Sequence, residues 1–387
     1  MPISRTDGHG VIQAANGAFL RLSGHDWDSL LGAPHKIIRH PEMPSSVFHL
    51  FWQRLTAGRS VAAYIRNREA SGRNYWALVL AVPLADGFVS VQIKPASALF
   101  SKIPSLYADL RRAELEDGIS PESSRDALDA GIRALGFDGH EDFMAEALCG
   151  EAIARAELLG HPPERSVVHG REMANAIRAA RSHAMRIAEL FDEIRNVPTN
   201  IRILAAQLEE GSGPIGVIST NHTALSEEML NGVDAFRHAA AGTYGAIGSG
   251  LFLFCAAAML QESAAAYARD SGLPGSLDPA AEARILAETG RRCLTEAEEA
   301  LLAITIEARR FAQVTEALKR HVAGLDVTRI MCKIENARFR TGTSSLTEII
   351  DNLEEVQAQI STQLGEIEKA SQSILNNARR ASVQRVA

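Results

Sequence analysis

The sequence predicts two regions of different class: an α+β N-terminal domain, an antiparallel sheet with short helices, followed by an all-α helical bundle or coiled-coil region. Three observations carry this. All three tryptophans, Trp27, Trp52 and Trp76, fall in the first hundred residues, together with most of the short alternating segments. Beyond about residue 100 the composition turns to Ala, Leu, Glu and Arg at helical spacing. Near the end, Leu346, Leu353, Ile360, Ile367 and Ile374 recur every seven residues, with Ile349, Val356 and Ala370 at the second core position. That is the period of a coiled coil or a long-bundle seam, or of a helix packed on its own domain.

In chain order, "GVIQAAN" reads as a strand after a glycine turn, and "AAYIRNREASGRNYWALVLAVPL" as a hairpin turning around "ASGRN". "GFVSVQIKP" alternates Val89, Val91 and Ile93, and Pro95 ends it. Short helical pieces fill the space between the first strand and the hairpin. The domain therefore spans 1–98, a helical connector 99–165, and the output region 166–387. Gly/Pro breaks such as "GISPESS", "GHPPERS" and "SGLPGSLDP" divide the long helices. "TNIRILAAQLE" (199–209) and "LDVTRIMCKIE" (325–335) each precede a turn and another helix. They outline two related hairpins, about 180–236 and 300–380, which could pack as a four-helix bundle; two unrelated amphipathic helices would look much the same.

The chain has 387 residues, room for two or three domains, with 46% hydrophobic and 22% charged residues. A net charge of −7 supplies no basic field, so nucleic acid is not an expected partner. Cys149, Cys255, Cys293 and Cys332 lie far apart without metal-ligand spacing, which points to neither a zinc site nor a disulfide scaffold and to a reducing, cytoplasmic location. "MPISRTDGHG" is too polar for a signal peptide. Ala239 to Leu260 carries no charge and has the length of a membrane span. Its first half is Gly, Ala, Thr, Tyr and Ser, and no Lys/Arg cluster flanks it, so a buried helix is expected and a span is the alternative. No GxxxxGK[ST], HExxH or GxSxG occurs. His183 in "ARSHAMRIAEL" has no nucleotide-binding segment after it to supply a phosphoryl group. The chain is not expected to be an enzyme.

One stretch concentrates chemistry. "GAPHKIIRHPEMPSSVFHLFW" (32–52) holds His35, Arg39, His40 and His49, either lining a ligand pocket or starting a polar helix. With the segments around it, "AN", "SG", "LLG", "PH", "RHPEMP", "NR", "YW" and "VP" in order, it resembles a PAS domain, and more narrowly the PAS domain of bacterial aerotaxis (redox-taxis) receptors. "RHPxMP" followed by "NRxxxGxxYW" is a specific combination, and the likeness covers roughly the first quarter of the chain. The resemblance implies non-covalently held FAD. Carried over by position, the flavin-associated motif falls on Arg39 and His40, with Glu42 where the family has Asp, Trp52 in "W..L..G" and Asn67 in "NR". His35 completes the candidate set. Val61 stands where the family usually has Trp, and Leu80 where it often has Asn; the two would remove an aromatic wall and an amide from the pocket. Haem held by His35, His40 or His49, and a pocket with no cofactor, are the alternatives.

A second, weaker resemblance lies in "TNIRILAAQLE", which is similar to the run near the signalling hairpin of methyl-accepting chemotaxis proteins through Thr199, Asn200, Ile201, Leu204, Ala206 and Glu209. Pro198 replaces a Gln, and the tip sequence is cut to "EGSGPIG". It implies the chemotaxis histidine kinase and its coupling protein, or another signalling protein, as partner. Together the likenesses imply a cytoplasmic redox or oxygen sensor that couples a bound cofactor to a chemoreceptor-like helical output. The sensory fold and the heptads lead to a homodimer, unless the internal hairpins complete the bundle in one chain. The alternatives are a cofactor-free scaffold for protein–protein contacts, and a membrane-attached receptor with its span at 239–260.

Overall fold

In the computed structural model, residues 1–194, 196–197, 199–201, 203, 214–270, 272–338 and 344–383 are described. Leu204, Ala206, Glu209 and the "EGSG" part of the chemoreceptor-like tip lie outside the described residues, as does Pro198.

The N-terminal α+β region is a five-stranded antiparallel sheet with short helices. Its strands are β1 (Ile3–Asp7), β2 (Ile12–Ala15), β3 (Val61–Arg68), β4 (Asn74–Leu84) and β5 (Gly87–Ile93), in the order β2-β1-β5-β4-β3. The hairpin around "ASGRN" is the β3–β4 pair, in register from Val61↔Ala81 to Arg68↔Asn74. Between β2 and β3 run α1 (Gly17–Ser23), α2 (Trp27–Leu30), a short 3-10 turn at His35–Ile38, and α3 (Ser45–Thr56). Helix α1 starts where Asn16 accepts from Phe19 N–H and ends at left-handed Gly24, the residue types that helix ends favour. Ile12, Ala15, Phe19, Leu30 and Ile38 pack into one small core beneath these helices.

Strand β4 is buried continuously from Ala77 to Val82, so both faces of the sheet are covered. The covering helices come from two places in the chain. Helices α4 (Ile103–Glu116), α5 (Pro121–Ala134) and α6 (His140–Leu158) follow the sheet directly. Parts of α8 (Pro214–Ala268) and α9 (Pro279–Arg338) return to it much later. The compact unit is therefore residues 1–171 with 248–300. Its long-range ties are specific. Arg5 of β1 makes a bidentate pair with Glu282 of α9 at 2.6–3.2 Å. Tyr267 donates to the Ala15 carbonyl at 2.9 Å, and Asp270 accepts from Gly17 N–H at 2.6 Å. Glu151 of α6, fully buried, accepts from the Tyr64 hydroxyl, from the N–H groups of Ala96 and Ser97, and from the Ser97 hydroxyl. That carboxylate fixes the chain where it leaves β5.

The second unit, 172–247 with 301–387, is helical in its described residues apart from a turn at Asn196. It comprises parts of α7 (Arg165–Ile194), α8 and α9, together with α10 (Ser344–Val383). His183 of α7 hydrogen-bonds Gln363 of α10 at 2.6 Å. Arg329 of α9 bonds Gln357 of α10 at 3.0 Å, Phe236 of α8 stacks on Phe311 of α9, and Arg181 of α7 lies over Tyr244 of α8. Each helix thus meets two others in a ring, a four-helix arrangement within one chain. The heptad residues Leu353, Ile360, Ile367 and Ile374 are fully buried in it.

Among the described residues, one helix is long and apolar enough to cross a membrane, α8, and 61% of its apolar window is buried in protein. In the first unit Cys255 of this helix lies against Cys149 of α6; the thiol–thiol hydrogen bond, then burial, pushes the Cys255 thiol up, away from reactivity.

Candidate functional site

One face of the sheet and α3 enclose a cavity of about 330 Å³, at the lower end of the size range of ligand pockets. Alternation along the strands decides what faces it. On β5, Phe88, Ser90 and Gln92 line the cavity, while Val89, Val91 and Ile93 point to the opposite face. On β4 it is Val79 and Ala81, and on β3 Ile65 and Asn67. Helix α3 supplies Phe48, Phe51, Trp52 and Leu55; the segment before it supplies His35 and Arg39. The lining is mostly apolar, with a few polar groups converging, as a ligand site requires.

Those polar groups are poorly satisfied by the protein itself. Asn67 is 3% exposed and its Nδ2 closes no well-formed hydrogen bond, with the Tyr75 hydroxyl as a polar neighbour. Gln92 is 1% exposed, and neither Oε1 nor Nε2 has a hydrogen-bond partner. A buried amide left unpaired costs about 1–3 kcal/mol, a cost that ordered water or a hydrogen-bonding ligand in the cavity would relieve. Beside them runs a satisfied chain: His35 Nε2 meets Ser4 Oγ at 3.0 Å, and Ser4 Oγ meets Ser90 Oγ at 2.8 Å. Burial pulls the His35 pKa down to about 4, so the imidazole is neutral at pH 7.

Of the residues singled out from sequence, the structure brings His35, Arg39, Trp52 and Asn67 to the cavity. Arg39 stacks its guanidinium over Phe48, 3.8 Å from the ring centroid, and makes no ion pair among the described residues. Trp52 packs edge-on to Phe88 at 5.6 Å. Its ring also comes so close to Gly10 that a Cβ there would lie 2.9 Å from it, at a backbone φ of +78° that favours glycine. His40 and Glu42 lie off the cavity. His40 Nδ1 accepts from Glu42 N–H at 3.1 Å, the His40 backbone N–H donates to the Arg66 carbonyl, and Glu42 pairs with Arg66 at 2.6 Å. Burial and nearby Arg66 lower the His40 pKa. These contacts pin the loop to β3, where an isolated bridge joins Arg39 to Asn67.

Val61 and Leu80, which depart from the aerotaxis-type pattern, are both fully buried but do not line the cavity. Leu80 faces the other side of the sheet, because Val79 and Ala81 take the cavity side. Gln92 and Ser90 escape notice in the sequence; their signal is two polar residues on one parity of "GFVSVQI" whose other parity is Val and Ile. His49 lies outside the cavity, in a neighbouring groove with Arg39 and Trp52.

Helix α3 is seated from a distance. Glu114 of α4 accepts from the N–H groups of Ser45 and Ser46 and from the hydroxyls of Ser45 and Ser124, and pairs with Arg111. Burial raises its pKa, but these bonds, led by the Ser45 backbone, outweigh that and hold the carboxyl down at about 2.

A family model agrees with this architecture, and several known proteins resemble part of the chain. The family model for the PAS fold matches residues 12–90. The aerotaxis receptor of Escherichia coli is 31% identical over 113 residues, which are 28% of this chain and 22% of the receptor; the match thus spans about a fifth of that relative's length. Among solved structures, the light state of the Aureochrome1 LOV domain, a blue-light photoreceptor, is 25% identical over 26% of this chain and 86% of its own, with a TM-score of 0.25. The LOV protein of Rhodobacter sphaeroides is 18% identical over 35% of this chain and 88% of its own, TM-score 0.25. The LOV domain of a blue-light activated histidine kinase from Erythrobacter litoralis is 22% identical over 24% and 93%, TM-score 0.22. The N-terminal region of this chain is a PAS domain.

Proposed function

We propose that the chain is a signal-transduction protein in which the PAS cavity holds a flavin, FAD as in the resemblance noted from sequence, and reports redox state or oxygen to the helical region. The observation that carries this is the pair of unpaired buried amides, Asn67 and Gln92, on a mostly apolar wall. A flat heteroaromatic ring with hydrogen-bonding atoms on one edge matches that pattern. When bound, a flavin supplies reversible redox chemistry.

The chain's own residues do the rest. Asn67 and Gln92 orient the polar edge, since a side-chain amide offers both a donor and an acceptor. Phe48, Phe51 and Trp52 enclose the ring and exclude water, and Arg39, stacked rather than ion-paired, faces added negative charge. A signal requires contacts that differ between two ligand states. Gln92 lies on the same strand as Val91 and Ile93, which face the opposite side of the sheet. A change at Gln92 is therefore one residue away from the packing that covers that side. The segment after Pro95, held by Glu151, is the second exit.

Haem is less well served. Of His35, His40 and His49, only His35 lines the cavity, and its Nε2 is engaged with Ser4. The reading extends to a non-enzymatic cytoplasmic protein whose partner is a chemotaxis histidine kinase, its coupling protein or a similar signalling protein. Four helices packed in one chain supply a bundle without requiring a second copy.

The test is the absorption spectrum of protein purified without added cofactor, then reconstituted with FAD. Flavin bands that bleach with dithionite, and that fall at least tenfold in occupancy in the Asn67→Ala/Gln92→Leu double variant, are expected. A spectrum that stays blank after incubation with FAD would leave the scaffold reading in its place. A Soret band would turn attention to His35.

A further inference from the structure

A second cavity, of about 420 Å³, opens on the far side of α3 and belongs to no part of the flavin reading. Four arginines line it: Arg54 of α3, Arg59 in the turn after it, and Arg125 and Arg133 of α5. Arg125, Asp129 and Arg133 stand four residues apart, one above another on a single helix face. Facing the guanidinium groups are two carboxylates, Asp129 and Glu141, so two positive charges remain uncompensated in a chain whose net charge is −7. Glu141 already bonds Arg54 at 2.8 Å and lies 3.7 Å from Arg59. Arg125 is held only by the neutral Gln53 side chain, at 2.9 Å, and Arg133 has no charged partner among the described residues. The wall between α5 and α6 is completed by His140, whose Nδ1 is buried without a partner. Burial, then the charges of Arg54 and Arg125, push its pKa down to about 3, so it stands as a neutral ring in a positive field.

We propose that this cavity binds the phosphoryl group of a small phosphorylated molecule, with Arg125 and Arg133 as its principal contacts and His140 Nδ1 as a further hydrogen-bond partner. Arginine presents a planar fork suited to phosphate oxygens. The N-terminus of α6 beside the cavity carries a partial positive charge of the same sign, opposed by Glu141 and Asp142 in its first turn. The floor, Leu50 and Ala57, is apolar and leaves space for a small organic body beside the phosphate. Helix α3 presents Phe51 and Trp52 to the first cavity and Arg54 to this one. An occupied phosphate site therefore braces a wall of the sensory cavity, and the chain has a second chemical input on the same helix.

The experiment is thermal unfolding and calorimetric titration of the full chain with inorganic phosphate, pyrophosphate and ADP, each against NaCl at matched ionic strength. One site per chain is expected, with Tm raised by at least ~3 °C at saturation and affinity lowered at least tenfold in Arg125→Ser/Arg133→Ser. Asp129→Asn, which removes a facing carboxylate, should tighten binding several-fold. Tighter binding of ADP than of pyrophosphate would assign the site to a phosphorylated organic molecule, and equal binding to the free anion. No binding by any of the three, an equal shift with NaCl, or an undiminished affinity in the double arginine variant overturns the proposal. Flavin content plays no part in these readings.

Discussion

The two faces of the sheet carry polar groups to opposite ends. On the cavity face, Asn67 and Gln92 are buried with amide atoms unpaired. On the opposite side of the sheet, long-range polar ties are matched: Arg5 of β1 finds both oxygens of Glu282, and Tyr267 finds the Ala15 carbonyl of β2. Folding alone selects for the second arrangement, because an unpaired buried group costs stability. The first is the arrangement that the ligand of the proposed function would relieve. One face is tied by long-range polar pairs as folded, and under the proposed function the other is completed by its ligand.

The largest effect should come from the face tied as folded. Glu282→Ala leaves the Arg5 guanidinium, 20% exposed, without its carboxylate, and should lower stability by about 2–4 kcal/mol. Replacing both with Arg5→Met/Glu282→Leu should recover most of that loss, since a pair removed whole leaves no stranded charge. Urea denaturation of the three proteins measures it; a Glu282→Ala loss under about 0.5 kcal/mol would mean that the contrast between the faces is only apparent.

A smaller effect is expected at the seat of α3, which forms the cavity's other wall. Glu114 titrates at about 2 when folded against an ordinary 4.5. Its depressed pKa contributes stability that is fully present above about 4.5 and disappears as pH falls toward 2. Glu114→Gln should therefore cost on the order of 1–2 kcal/mol at pH 7 and progressively less below pH 4. A penalty that is the same at pH 3 and pH 7 would show that shape, not charge, holds the helix.

How much of this could be read from sequence differs between the same two faces. Strand alternation, the hairpin at "ASGRN", the heptads of α10 and the motif that brings Arg39, Asn67 and Trp52 to one place are local patterns, and periodicity or spacing exposes them. The covering of the outer face is not local. Nothing in "LFLFCAAAML" states which surface it meets, and Arg5 and Glu282 are separated by 277 positions. His40 and Glu42 show the limit of a motif: they are adjacent to cavity residues in sequence, yet the bend at "HPEMP" turns them onto Arg66. Gln92 shows the reverse, a cavity residue that no motif marks and that becomes legible once the parity of β5 is fixed by its pairing with β1 and β4.

Gln92 also gives the sharpest form of the comparison, with the smallest expected effect on folding. Gln92→Leu removes two unpaired polar atoms from a buried wall and keeps similar bulk, so the ligand-free protein should be unchanged or stabilised by roughly 1 kcal/mol. The same change removes an amide that the occupant needs, and flavin affinity should fall about 10- to 100-fold, the equivalent of one or two lost hydrogen bonds in a dry site. Stability and binding thus move in opposite directions at this position, whereas Glu282→Ala lowers stability and leaves the cavity lining intact. Measuring both quantities on both variants, urea midpoint without ligand and flavin titration by fluorescence quenching, decides the matter. If Gln92→Leu destabilises the free protein by more than about 1 kcal/mol, the amide is held by the fold in a way the two unpaired atoms contradict. The cavity face would then be as complete as the other.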